Sequence, residues 1–139
     1  MPEMREVRKL VSEWVHKAEN DLINASAALK LGTRCPSDTV CFHGQQCVEK
    51  YLKALLVLRA RSFPKTHDIE VIVALLPPAN RPPLAPEEQA QLTRYATISR
   101  YPGDYPEPTL AEARQAVRLA RRVRTWCRKL LPRAALRKE

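Results

Sequence analysis

Residues 42–56 read FHGQQCVEKYLKALL, and the spacing of the apolar residues in and around this stretch decides the fold. Val40, Cys41, Cys47, Val48, Tyr51, Leu52, Leu55, Leu56 and Leu58 recur at the three-to-four-residue interval of a helix with a buried side. On a helix of about 3.6 residues per turn they cover about half the circumference. His43, Gln46, Lys50 and Lys53 fall together in a narrow arc on the other side, spaced i, i+3, i+7 and i+10. Gln45 points into the apolar arc, so it requires a buried hydrogen-bond partner, and Glu49 lies at the margin between the faces.

Outward from that helix, the chain is punctuated by proline. PPANRPPLAP at 77–86 and PGDYPEP at 102–108 separate helical segments, because proline lacks the amide donor and clashes inside a helix. Leu10, Val11, Trp14, Val15, Ala18, Leu22, Ala25 and Leu29 predict an amphipathic helix over 9–31, stopped near Gly32. Ser37 or Asp38 can cap the second helix, which runs to about Arg61. Thr66 to Asp68 caps a short third helix, and Pro86 opens a fourth over roughly 86–101. Thr109 and Glu112 form a capping box for a fifth, which ends near Leu131. No useful length alternates with period two. The expected architecture is all-α: an up-and-down bundle of about five helices, two long and antiparallel, with a long basic helix at the C-terminal end. One domain is expected over 1–139, with its core at about 9–131 and a basic tail at 132–139.

Charge is concentrated. Residues 109–139 carry ten Lys or Arg against two Glu, so nearly all of the +9 net charge lies there. In the fifth helix Arg114, Arg118, Arg121 and Arg128 face away from the apolar arc, either as a solvated face or as a face for nucleic acid or an acidic partner. No apolar run is long enough to span a membrane and no signal peptide opens the chain, so a soluble, cytoplasmic protein is expected. Cys35, Cys41, Cys47 and Cys127 form no CxxC pair and have no zinc-finger histidine spacing. They read as core residues, with no metal and no cofactor expected.

The His, Gln and Lys stripe of the second helix has the donors and positive charge that a phosphate needs, and its glutamine can read a base edge. The same residues also suit an ordinary solvated face. FPKTHDIE at 63–70 adds Lys65, His67 and Asp68 at a helix start. RYATISRYPGDYPE at 94–107 adds Arg94, Tyr95, Arg100 and Tyr101. There arginine can hold a phosphate and tyrosine can stack on a base, or the tyrosines can pack in the core with the hydroxyl at its rim.

Four pieces in this order, WVHKAENDLINA at 14–25, FHGQQCVEKYLKALL at 42–56, FPKTHDI at 63–69 and RYP at 100–102, resemble the HEPN family (higher eukaryotes and prokaryotes nucleotide-binding domain). The resemblance spans about residues 10–130. It implies a helical bundle that forms homodimers and pairs with a separately encoded minimal nucleotidyltransferase, often in toxin–antitoxin-like modules. It also implies a ligand site, for a nucleotide or RNA, lined by His43, Gln46, Lys50 and Lys53, with Lys65, His67, Arg100 and Tyr101 nearby. Many members are metal-independent ribonucleases with an Arg-x(4–6)-His motif. Arg61 and His67 are the literal match here, but Ser62 follows the arginine where a polar Asn, Asp or His is usual, and Pro64 makes the segment a loop. The expectation is therefore a binding protein, with a ribonuclease using Arg61 and His67 as the alternative.

Overall fold

The computed structural model describes residues 3–98, 103 and 106–136. Its helices are α1 (Met4–Leu29), α2 (Ser37–Leu58), α3 (Ile69–Ala74), α4 (Pro86–Ile98), α5 (Leu110–Leu130) and α6 (Arg133–Leu136), with a 3₁₀ turn at Gly32–Arg34 between the first two. There is no strand among the described residues, and no helix there is long and apolar enough to cross a membrane.

The all-α expectation holds, and α2 is the axis of the bundle. Side-chain contacts set the directions. Asp21 meets His43, Glu19 meets Tyr51 and Trp14 meets Phe63, so α1 runs antiparallel to α2. Arg121 reaches Ser26 and Arg124 reaches Glu19, so α1 is antiparallel to α5 as well. The core is continuous from Val11, Val15 and Ala18 of α1, through Cys47, Leu52 and Leu55 of α2, to Ala116, Ala120 and Val123 of α5. Gly44 lets α2 and α5 approach closely. A Cβ there would sit 3.1 Å from the Ala116 Cβ and 3.2 Å from its carbonyl oxygen, so side-chain volume would push the two helices apart.

Helix ends differ from expectation in informative ways. α1 starts at Met4, ahead of the apolar stripe, and its first turn is largely exposed; nothing there repeats with helical period to announce it. α2 begins at Ser37 with Pro36 as its N-cap and no side-chain cap bond; the Asp38 carboxylate accepts from the Thr39 amide instead. It ends at Leu58 rather than Arg61 because Ala60 turns into the left-handed region at φ 55°. The Ala60 amide then donates to the Val57 carbonyl and the Arg61 amide to the Leu56 carbonyl, the paired hydrogen bonds of a Schellman motif. An alanine there bears about 1–2 kcal/mol of strain, whereas glycine bears none but loses more chain entropy. Ala60→Gly is therefore expected to raise stability by about 0.5–1 kcal/mol, read as a higher urea midpoint at unchanged slope.

Asp68 caps α3 as expected, accepting from the Val71 amide. The Thr109 hydroxyl accepts from the Glu112 amide, but the Glu112 carboxylate does not return to close the box. It accepts instead from Tyr95 and Gln91 of α4. Glu88 reaches back to the Ala85 amide at the start of α4, 2.8 Å away. The stretch expected to be a tail contains α6, a single turn after Pro132 whose Ala135 is 2% exposed. Four residues are too few for periodicity to reveal.

Candidate functional site

α2 is buried nearly all round, and that changes what its polar stripe can do. Thirteen of its 22 residues are buried, including Gln45, Glu49 and Lys53. The stripe faces α1 and the chain leading to α3, where it forms two ion-pair networks.

The first is built on Asp21 of α1, whose carboxylate bridges two residues on one face of α2. Its Oδ1 lies 2.8 Å from His43 Nδ1 and its Oδ2 accepts from Lys50 Nζ at 2.6 Å. A carboxylate only accepts, so Nδ1 carries the proton and the ring is held in one orientation. The second is built on Glu49. Its Oε1 lies 2.9 Å from His67 Nδ1 and accepts from Gln45 Nε2 at 3.0 Å, and its Oε2 accepts from Lys53 Nζ at 3.0 Å. Gln45 also donates to the His67 carbonyl, and its own carbonyl accepts from Gln46. The buried glutamine demanded by the apolar pattern thus has its partners, and it is fully shielded from solvent.

Lys53 is the more deeply buried of the two lysines in the stripe. Its ammonium lies 5.6 Å from the Trp14 ring centre and 5.5 Å from that of Phe63, and it donates to the Thr66 carbonyl as well as to Glu49. With a side chain 8% exposed, Lys53 pins the α2–α3 loop onto α1 and has no face left for a phosphate. Its expected place in the ligand wall therefore becomes a structural one. Lys50 keeps more access, at 23% side-chain exposure, but its charge is matched by Asp21.

What remains presented is narrower than the stripe. His43 is 26% exposed and His67 53% exposed at the side chain, and no described residue hydrogen-bonds either Nε2. Gln46 lies between the two networks, partly exposed. Lys65 and Arg61 are exposed on the loop. Arg100 and Tyr101 lie outside the described residues, so their expected role gains no geometry. Tyr95 is no stacking platform: it is 3% exposed, with its hydroxyl donating to Glu112 and accepting from Gln91.

A third network ties three helices together. Glu19 accepts from Arg124 Nε and Nη2 and from the Tyr51 hydroxyl, and Arg128 Nη1 stands 3.6 Å away. Arg128 also donates to Tyr51, so it belongs to this lock and not to an open face. Arg114 and Arg118 are exposed, Arg118 bonding Gln115, while Arg121 donates to Ser26. Burial pushes the Glu19 carboxyl upward, but hydrogen bonds from Arg124 and Tyr51 and the two guanidinium charges outweigh it, holding the group below the usual carboxylate range. A depressed folded-state value contributes stability that is complete above the unfolded glutamate value of about 4.3 and is lost as pH falls through the folded one. Urea midpoints are expected to drop below about pH 4.3, and Glu19→Gln to flatten that part of the curve.

Among the described residues no three His, Cys, Asp or Glu side chains converge in a way that could hold a metal ion. Cys41, Cys47 and Cys127 are buried, and burial pushes the Cys41 thiol up to about 12, so they pack as core residues.

Pattern reading missed Asp21, Glu49 as a centre, and the Glu19 lock. A signal for Asp21 was present: it stands three residues after Ala18 and four before Ala25, within the apolar stripe of α1. An acid in that register requires a cation from a neighbouring helix.

A family model described as HEPN domain matches residues 11–130. Among solved structures, TT1696 from Thermus thermophilus is similar at a TM-score of 0.72 and 26% identity, over 87% of this chain and 98% of that one. ST0689, described as an archaeal HEPN homologue, is similar at a TM-score of 0.65 and 30% identity, over 88% of this chain and 98% of that one. No curated protein matches.

Proposed function

The chain belongs to the HEPN family, and on that premise we propose that it is a binding component, holding a nucleotide on the α2 face and acting with a separate minimal nucleotidyltransferase in a toxin–antitoxin-like pair. The observation that carries this reading is the pair of histidines whose Nδ1 atoms are fixed by buried carboxylates, Asp21 for His43 and Glu49 for His67. Each ring is preorganised with Nε2 left for a ligand, and Gln46 supplies an amide between them. Ordering these rings in advance removes an entropic cost from binding. In this reading Lys65, exposed beside His67, meets phosphate, while Lys50 and Lys53 hold the helices together. Homodimerisation, implied by the family resemblance, would set two such faces in one assembly.

Calorimetry with ATP, GTP and short oligonucleotides tests the proposal. Heat of binding that disappears in the double variant His43→Ala, Gln46→Ala is the expected result. Binding of none of them by the wild-type protein removes the nucleotide and leaves the protein partner alone.

One observation favours a second reading, a metal-independent ribonuclease. His67, held by a buried carboxylate with its other nitrogen outward, is oriented as a general base or acid would be, and Arg61 is exposed on the same loop. It predicts RNA cleavage in EDTA that is lost in His67→Ala. RNA left intact by the purified protein rejects it.

A further inference from the structure

A second surface lies away from the α2 face, along the seam of α1 and α5. Two cavities open there, of about 370 Å³ and 750 Å³, and no residue of α2 lines either. They share Glu19, Ile23 and Arg124 and therefore form one trough. It runs beside α1 from Lys9 to Lys30, which at about 1.5 Å per residue is about 30 Å.

The trough has an apolar midpoint and cationic rims. Ile23, where the cavities meet, is 64% exposed and puts an apolar side chain at the middle of the trough. Lys9 and Lys17 of α1, Lys30 just after it and Arg121 of α5 line it, and none pairs with a carboxylate among the described residues. Among the described residues Arg121 donates only to the neutral Ser26 hydroxyl, which leaves its charge without a counter-ion there. Arg124 and Arg128 share the single carboxylate of Glu19, which offsets one of their two charges. Glu13 is the one acid on the rim outside that lock among the described residues.

We infer that this trough is the docking surface for an amphipathic helix of a partner protein, one whose apolar stripe is flanked by Asp and Glu. The inference rests on the partner-binding half of the proposed function and names where and by what chemistry the partner attaches. Charge complementarity selects an acidic occupant, and Ile23 requires an apolar stripe within it. The span accommodates about 20 helical residues. Single-stranded nucleic acid would also satisfy the cations, but no Phe, Tyr or Trp lines the trough to stack its bases, which favours the peptide.

The test uses a fluorescein-labelled peptide of about 16 residues with leucines at helical spacing and glutamates around them. A scrambled peptide of the same composition and an oligouridylate of about 15 nucleotides are run beside it. Fluorescence anisotropy on the full chain is expected to show the patterned peptide binding most tightly. Ile23→Glu and Arg121→Glu, both at exposed positions, are each expected to weaken it about tenfold or more while leaving the heat of nucleotide binding unchanged. Equal binding of the scrambled peptide would mean that charge alone is recognised, and would overturn the inference. So would tighter binding of the oligouridylate, no binding of the patterned peptide, or indifference to Ile23→Glu. Because nucleotide binding is measured on the same samples, failure of the trough and failure of the α2 site are separable.

Discussion

Glu49→Ala is expected to cost about 3–5 kcal/mol of folding stability, the largest effect of any single polar substitution in the bundle. The carboxylate is 3% exposed and serves three partners at once: Lys53, Gln45 and His67. Without it the Lys53 ammonium stays buried with only the Thr66 carbonyl and two ring faces. A buried charge stripped of its counter-ion is far more costly than the intact pair is stabilising. Removing both charges is therefore the informative control. Glu49→Leu combined with Lys53→Met should recover much of the loss, because an apolar pair of similar volume needs no desolvation of charge. Urea unfolding of the two single variants and the double variant closes the cycle. A double variant no more stable than Glu49→Ala would show that Gln45 and His67, not the ion pair, carry the dependence on Glu49.

Asp21→Ala should have a smaller effect on stability and a specific effect on function. It leaves Lys50 and His43 unpaired, but both retain access to water, so the expected loss is about 1–3 kcal/mol. The His43 ring is then free to rotate. Restoring its order on binding costs about 0.5–1.5 kcal/mol, which weakens nucleotide affinity by up to about tenfold. Asp21 touches no ligand in this account; it positions His43. Calorimetry should therefore show weakened binding without abolition, in contrast with the double variant at His43 and Gln46. Unchanged affinity in folded Asp21→Ala would separate His43 from the site.

The helices were legible because burial repeats. α1, α2 and α5 each carry an apolar stripe long enough for the 3.6-residue period to stand out, and the prolines at 77–86 and 132 mark their neighbours' limits. The polar site was legible only in part. Projection of α2 put His43, Gln46, Lys50 and Lys53 on one arc, yet it left open that this arc is a wet face, whereas it divides between two ion-pair networks. A single-helix projection contains no information about what lies across from it. α1 brings Asp21 to that arc, and the loop after α2 folds back so that Phe63, Thr66 and His67 cover Lys53 and Glu49. Glu49, at the margin of the projection, becomes the most constrained acid in the bundle for that reason. The fifth helix shows the same limit. Its arginines separate cleanly from its apolar side in sequence, but Glu19 of α1 and Glu88 of α4 decide which of them remain uncommitted. Arg124 and Arg128 go to Glu19 and Arg122 to Glu88, leaving Arg114, Arg118 and Arg121 without a carboxylate among the described residues, and of these Arg121 faces the trough.

The central claim is that two histidines, oriented by buried carboxylates, present their outer nitrogens to a nucleotide. Nitrogen-15 correlation spectra of the imidazoles test it most directly, since the chain has only His16, His43 and His67 and each can be assigned by substitution with glutamine. The account predicts that in His43 and His67 Nδ1 carries the proton and is hydrogen-bonded. It further predicts that titration with ATP moves the Nε2 resonances of these two rings and leaves His16, on the α1 trough, in place. Movement of His16 alone, or of none of the three, would contradict it.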